Sequence, residues 1–536
     1  MPNLFAYTVL FSWPFVVYLL FRKLPQANAL IWSIVSGYLL LPFGLAVKIK
    51  MIPAFDKDLM PALSAAVMLA IVADRTALHQ RPSRISDLSR KERKARIRQA
   101  EHEAPASSVR NPYARERDLA PPEQESGGKA SLASVRTWNT WLVDILITIL
   151  FVTPLITAMT NADPVQIGPS TLPGLRFYDA LSTISGTLVS ILPFLLARRY
   201  LARPEHHVLL LRILALAGLL YTLPALYEVR MSPQLARMIY GFLAQPFGMS
   251  LRDGGWRPVV FLQHGLWLAV FFAMTSLAAI ALWRHERARG QRTRWLLAGL
   301  YLGAVLVLCH SAGALGEFLF LLPAALLLPV RGQLLTASII SIVLLTYPVL
   351  RGADLIPVNQ VVTWVQQNVG AQRAGSLEFR LKNEDILLAK ARQKPLAGWG
   401  GWGRSRVYNA QGRDISITDG MWIIVIGISG WLGYAASFGL LTIPILLLTL
   451  RRRGLSPSHA TAGLAILLTA NLIDMIPNAT LTPVSWLIAG ALAGRCGTLL
   501  SDTLSERGSD RRTWRAAPQA GATLAIPRRP PGQPAR

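Results

Sequence analysis

Long apolar runs dominate this chain. They recur at roughly 3–21, 29–47, 59–74, 141–159, 179–197, 208–225, 259–282, 295–310, 313–330, 334–350, 429–450, 459–476 and 481–495. Most approach the ~20 residues that a helix needs to cross a ~30 Å hydrocarbon core. They carry neither the alternation of a half-buried strand nor the polar face of a surface helix. The pattern predicts an all-α polytopic membrane helix bundle of about 12–13 spans. One long polar stretch, Arg351 to Asp419, interrupts it and is expected to be partly helical.

Composition agrees. Of 536 residues, 52% are hydrophobic and only 16% charged, with a mean hydropathy of +0.37, which is a membrane composition rather than that of a soluble multidomain enzyme. The connections sort by charge. Arg22-Lys23, the segment 75–138, Arg198-Arg199, the run RHERARGQRTR from Arg284 to Arg294, Arg331, Arg451-Arg452-Arg453 and the tail after Arg495 are basic. Basic loops stay cytoplasmic, so the loops 160–178, 226–258 and 351–428 are expected outside. The net charge of +26 is thereby accounted for as topology signal, and no folded basic domain points to nucleic acid. Cys309 and Cys496 fall at opposite faces, so no disulfide is expected.

The chain divides into N-terminal spans (1–74), a basic, largely disordered cytoplasmic linker (75–138), a membrane bundle carrying the outer loop 226–258 (139–350), a large outer loop (351–428), C-terminal spans (429–500) and a disordered basic tail (501–536).

Ionisable side chains inside spans cost about 2.5–3.5 kcal/mol each at the helix centre and need a reason. Following the helix directions, Glu228, His264, His310, Glu317 and Asp474 all fall toward the outer leaflet, with Asp144 near the inner face. Their shared depth predicts an outward-opening polar cavity beneath the long loop. The loop 226–258 adds Arg230, Arg237, Arg252 and Arg257, against the usual scarcity of outer arginines. The long loop adds Arg373, Arg380, Arg392, Arg404, Arg406 and Arg413. Arg suits bidentate phosphate contacts. SLEFRLKNEDILLAKAR (Ser376 to Arg392) reads as a helix. GWGGWG (398–403) lacks the GK[ST] of a phosphate-binding P-loop, and its tryptophans suit an interface or a sugar platform. Asp419 stands just before the chain returns to the membrane, where a carboxylate can act as a general base. No HExxH, Cys/His metal spacing or GxSxG is present.

The landmarks Cys-His-Ser-Ala-Gly-Ala-Leu (309–315), Arg380 upstream of Lys-Pro-Leu-Ala-Gly-Trp-Gly (394–400), and Gly427-Ile-Ser-Gly-Trp-Leu-Gly433 occur in an order that resembles the O-antigen ligase and O-antigen polymerase superfamily. The region 227–268 resembles a subgroup associated with exopolysaccharide polymerisation. The resemblance implies a GT-C-like, multi-pass glycosyltransferase of the bacterial inner membrane that needs no metal or other cofactor. Its donor would be a glycan on undecaprenyl diphosphate. Membrane lipid, a chain-length regulator and export proteins would be its partners. Arg380 and Asp419 become the catalytic residues, with Asp419 as base. Arg230, Arg252, Arg257, His264, His310 and Arg404 become the substrate ligands. One departure stands out: such ligases commonly carry a histidine shortly before the return to the membrane, and this chain has none between 311 and 458. Polymerisation is therefore favoured over ligation to a final acceptor. A lipid-linked glycan transporter would use the same cavity, but its expected inverted repeats and interrupted helices are not seen in the sequence. A scaffold of an export complex is the third reading.

Overall fold

A computed structural model describes residues 1–49, 53–79, 138–252, 254–288, 293–368, 370–452 and 457–497. The basic tail, Asp253 and nearly all of the cytoplasmic linker lie outside the described residues.

Every predicted span contains a helix. In chain order they are α1 (Leu4–Lys23), α2 (Gln26–Leu40), α3 (Leu59–His79), α4 (Trp138–Thr160), α5 (Phe177–Tyr200), α6 (Pro204–Met231), the short α7 (Leu235–Tyr240), α8 (Gly265–Arg287), α9 (Arg294–Leu308), α10 (Ala312–Leu327), α11 (Val330–Gly352), the loop helices α12 (Val358–Asn368) and α13 (Ala371–Ala391), α14 (Met421–Leu450) and α15 (His459–Asp474). Residues 483–497 form α16. Seven of them, namely α1, α4, α5, α6, α8, α11 and α14, are long and apolar enough to cross a membrane. The apolar helices α9, α10 and α15 are shorter.

The chain is therefore a multi-pass helical bundle. α8 lies on its axis and is buried along nearly its whole length, as a helix apolar all round must be. α6, α9, α10 and α15 pack on it. Large apolar side chains left exposed, such as Leu319, Phe320, Ile339, Ile342 and Val343, sit on the peripheral helices α10 and α11, where lipid is the natural partner. Close helix pairs use small residues. Gly490 and Gly494, one turn apart on α16, lie on the carbonyls of Phe194 and Arg198 of α5, and a Cβ at either would come within 2.2 and 2.4 Å of those oxygens. Asp144, the ionisable residue near the opposite end of the bundle, pairs with Arg198 at 2.6 Å. Cys309 and Cys496 are free and buried.

Two helix boundaries differ from the sequence expectation. The loop helix α13 begins at Ala371, five residues before Ser376. The helix expected from 429 begins at Met421 and is broken at Gly430, whose φ of 63° and ψ of −165° are not helical. The expectation that no helix is interrupted fails here, because a single glycine inside an apolar run leaves the hydrophobic pattern unchanged.

The break is filled by the backbone of residues 395–400. Trp399 N–H donates to Gly427 O and Gly400 N–H to Ile428 O, both at 2.9 Å. Trp431 N–H donates to Pro395 O at 2.8 Å and Leu432 N–H to Leu396 O at 3.1 Å. Groups orphaned at the two facing helix ends thus find partners in PLAGWG. α4 joins in: Thr157 Oγ1 donates to Ala397 O at 2.5 Å and Asn161 Nδ2 to Gly398 O at 2.9 Å. The two backbones approach so closely that a Cβ at Gly430 would lie 2.4 Å from Leu396 O, and one at Gly398 2.4 Å from the Ile428 carbonyl carbon.

Gly430→Ala should therefore destabilise the protein by about 1–3 kcal/mol for a backbone conformation that is almost confined to glycine and about 1–3 kcal/mol more for the forced contact. Gly375, on α13 with nothing within 4 Å of its Cβ position, is the control: Gly375→Ala should hold or raise stability. Melting temperatures of the purified variants in detergent check both.

Candidate functional site

The described residues of the long loop and of the connections 41–58, 161–176, 232–264, 309–311 and 475–482 meet at one end of the bundle, here called the loop end. The local chemistry begins with the hairpin of β3 (Leu251–Arg252) and β4 (Gly255–Trp256), paired Leu251 with Trp256 and Arg252 with Gly255. It is followed by the irregular run 257–264, which turns at Val260. Glu228 organises this stretch. Its Oε1 accepts from Leu235 N–H at 3.0 Å, and its Oε2 from Val259 N–H and Val260 N–H at 2.8 Å each. Val260 holds a φ of 56° there, an uncommon backbone for a β-branched residue that the carboxylate keeps in place. Glu228 is therefore a buried support and does not face a cavity.

Arg257 projects from this run into the bundle. It is 4% exposed. Its Nη2 donates to Ser311 Oγ at 3.2 Å, and its Nε has no hydrogen-bond partner. Burial, then the nearby Arg252, push its pKa down to about 10, so it stays charged at neutral pH. His264 caps α8, with Nδ1 accepting from Leu266 N–H at 3.1 Å. Burial first, then Arg257 and Arg252, push its pKa down to about 4. The ring is thus neutral, with its proton on Nε2. His310 sits at the α9–α10 turn with a left-handed φ of 47°. It is stacked on Gly255 so closely that a Cβ there would come within 2.5 Å of Nε2. The Cys-His-Ser turn and the arginine hairpin, distant in sequence, are one structure.

Across from Arg257 lies the α15–α16 connection. Asp474 is fully buried, accepts from Asn478 Nδ2 at 2.7 Å and from Thr480 Oγ1 at 2.5 Å, and meets the side chain of Glu317. Its charge reaches both Arg257 and Arg380. Arg380, on α13, donates through Nη1 to Pro477 O and Asn478 Oδ1 at 3.3 Å each. Its Nε faces Asp419 Oδ2 at 3.5 Å. Asp419 is held there because Met421 N–H donates to the carbonyls of Met475 and Asn478 at 3.0 and 3.1 Å. Gly420 leaves room for Ile476 O, which would lie 2.3 Å from a Cβ.

Arg257, Arg380 and Asp419 thus meet the segment of Asp474 and Asn478, and Arg252, His264 and His310 stand beside Arg257 and its hairpin. Arg404 and Arg230 do neither. Arg404 is 2% exposed, and its guanidinium donates to the carbonyls of Trp399, Pro173, Asn161 and Asp163. It is a strut between the GWGGWG loop and the α4–α5 connection, with four of its five N–H donors given to backbone carbonyls. Arg230 is exposed on the last turn of α6. Among the described residues no contact joins it to the cluster. Trp399 is also structural, its indole N–H donating to Lys390 O at 2.8 Å and its ring covered by the Lys390 ammonium at 3.6 Å.

Sequence reasoning missed Asn478 and Ser311. Both are neutral, so a search for ionisable groups in spans passes over them. The expected cavity is also displaced. A cavity of about 700 Å³ lies instead between Lys48, Ile49, residues 53–58, α5, the start of α16 and Trp402, and none of the eight predicted site residues lines it.

No protein-family model matches this chain, and no curated protein matches it.

The arrangement has the groups to hold an anion. A buried guanidinium with an unpartnered N–H, a second arginine beside it, a neutral histidine and a third arginine shared with a carboxylate stand together, with the carboxyls of Asp474, Glu317 and Asp419 beside them. The pH dependence follows from His264. Its folded pKa lies below the unfolded value, so the unfolded chain binds the proton first as pH falls. Stability should therefore decline from about pH 6.5 toward about pH 4. His264→Asn, which keeps a cap, should flatten that part of the melting-temperature profile relative to the unsubstituted protein.

Proposed function

We propose that this chain is a GT-C-like glycosyltransferase of the bacterial inner membrane. It would polymerise undecaprenyl-diphosphate-linked oligosaccharide repeat units into an exopolysaccharide or O-antigen at the periplasmic face. The observation that carries the reading is the convergence of Arg257 and Arg380, from two separate loops, on one buried polar centre, with Arg252 beside Arg257. Cations grouped in this way suit a diphosphate, whose negative charge grows as it leaves.

In the proposed reaction an acceptor hydroxyl oxygen bonds to C1 of the donor sugar. The bond from C1 to the diphosphate oxygen breaks, and its electron pair stays on the lipid diphosphate. The hydroxyl proton passes to Asp419. In the ligand-free protein Asp419 is the ion partner of Arg380. A bound diphosphate would take over that guanidinium and leave the carboxylate free to accept the proton.

Arg257→Ala and Arg380→Ala should each lower polymer yield by about 100-fold or more, the scale of losing one charge-stabilising donor. Asp419→Asn should do the same. Each variant should remain in the membrane at near-normal amounts, and lipid-linked single repeats should accumulate. Arg404→Ala should instead lower the amount of folded protein. The measurements are polymer yield, lipid-linked repeats and membrane protein level in a strain relying on the variant. Normal polymer from both arginine variants would overturn the site. Polymer made but left unattached to its final acceptor would mark a ligase.

The interrupted α14 favours a second reading, a transporter of lipid-linked glycans, since broken helices are common in transporters. Here the groups freed by the break are bonded to residues 395–400 and are not open to a substrate, which keeps the polymerase reading first. Repeats accumulating on the cytoplasmic leaflet of a deletion strain would reverse that order.

A further inference from the structure

The 700 Å³ cavity stands apart from the arginine cluster and has a different chemistry. One wall is a single face of α5: Ser182, Ser185, Gly186, Val189 and Pro193 recur at helical spacing and all line it. These side chains are small, and nothing lies within 4 Å of where a Gly186 Cβ would be. Aromatic rings close the other sides: Tyr178 at the start of α5, Trp267 on α8, Trp486 on α16, and Trp402 from the long loop. Trp402 is 57% exposed and holds a left-handed φ of 54°. A large side chain kept exposed on an uncommon backbone is costly unless it has a partner. The rim carries three carboxylates, Asp56, Asp58 and Asp179, against one ammonium, Lys48. Asp56 and Asp179 also cap helices, accepting from Leu59 N–H and Arg176 N–H at 2.9 and 2.8 Å.

Flat aromatic faces, hydroxyls and carboxylates around a cavity of this size suit a short saccharide: sugar C–H faces stack on the rings, and sugar hydroxyls donate to carboxylate and serine oxygens. The excess of carboxylates disfavours anionic sugars and the lipid diphosphate itself.

A hydrogen-bond chain ties this cavity to the arginine cluster. Thr482, in the cavity wall, bonds to Ser485 at 3.0 Å, Ser485 donates to Asn471 at 2.6 Å, Asn471 to Thr480 O at 3.0 Å, and Thr480 to Asp474 at 2.5 Å.

We infer that the cavity beside α5 is a second substrate site, which holds the neutral or amino-bearing saccharide of the acceptor while the arginine cluster holds the donor diphosphate. The inference rests on the glycosyltransferase reading for the name acceptor, but the binding of a saccharide there stands by itself.

The test is saturation-transfer NMR on the full-length protein in detergent, with chitotriose, the glucosamine trimer and trigalacturonate as probes. Chitotriose or the glucosamine trimer should receive saturation, and trigalacturonate at least fivefold less. Gly186→Phe, which fills empty space, and Trp402→Gly, which suits the left-handed backbone, should each remove the signal, while melting temperatures stay within a few degrees. Absence of transfer to both amino-sugar trimers, equal transfer to trigalacturonate, or signal unchanged in Gly186→Phe would each overturn the inference. Loss of a co-purified acyl or isoprenoid lipid from Gly186→Phe, seen by native mass spectrometry without loss of saccharide signal, would reassign the cavity to a lipid chain. The two readings fail separately. Normal polymer from Arg257→Ala and Arg380→Ala defeats the glycosyltransferase and leaves saccharide binding standing. Absent saccharide binding defeats the second site and leaves the arginine result untouched.

Discussion

The loop end depends on one backbone interaction, the pairing of residues 395–400 with the broken middle of α14. A helix interrupted inside an apolar bundle leaves carbonyls on one side and N–H groups on the other without partners, and each costs several kcal/mol where water is absent. Here the loop carries four compensating bonds across the gap. The long loop is consequently stitched into the bundle at its midpoint. α13 and its Arg380 are held before the stitch. Arg404, Trp402 and Asp419 are held after it.

From that anchor the site is assembled by supports that carry no ligand themselves. Glu228 shapes the arginine hairpin, Arg404 braces the GWGGWG loop against the α4–α5 connection, and buried Arg351 fastens α13 to α11 through Asp385 at 2.5 Å and Leu381 O at 3.2 Å. Each is a charged group whose polar atoms are taken up by backbone or by an opposite charge, as burial demands. Arg257 differs, because its Nε is left without a partner and no carboxylate pairs with it among the described residues, whereas Arg351 Nε faces Glu384 at 3.7 Å. That difference, more than the number of arginines, separates a binding group from a structural one.

The two recessed features also have a common origin. Helices α9, α10 and α15 have 15 or 16 residues, about 23 Å of rise, and fall short of a full hydrocarbon thickness. Their ends at the loop end carry His310, Ser311 and Asp474. α16 begins only at residue 483, and its Trp486 meets Phe194 far along α5. The first half of α5 therefore stands beside empty space, which is the cavity. Short helices among long ones make the recesses, and the loops above decide what lines them.

Much of this was legible from residue order. Apolar runs of a set length require helices that cross lipid, so each predicted span holds a helix, of which seven among the described residues are long and apolar enough to cross. Clustered ionisable groups at matching depths pointed to one end of the bundle, because isolated charge in a span is costly. Residue types alone could not sort Arg257 from Arg404, or Asp474 from Glu228. Each pair has the same chemistry, and its role depends on which backbone groups the fold brings within hydrogen-bond reach. Nor could they reveal the break at Gly430 or the exposure of Trp402. Both are set by a local φ that hydrophobic patterning does not record and that only contacts from distant segments hold in place.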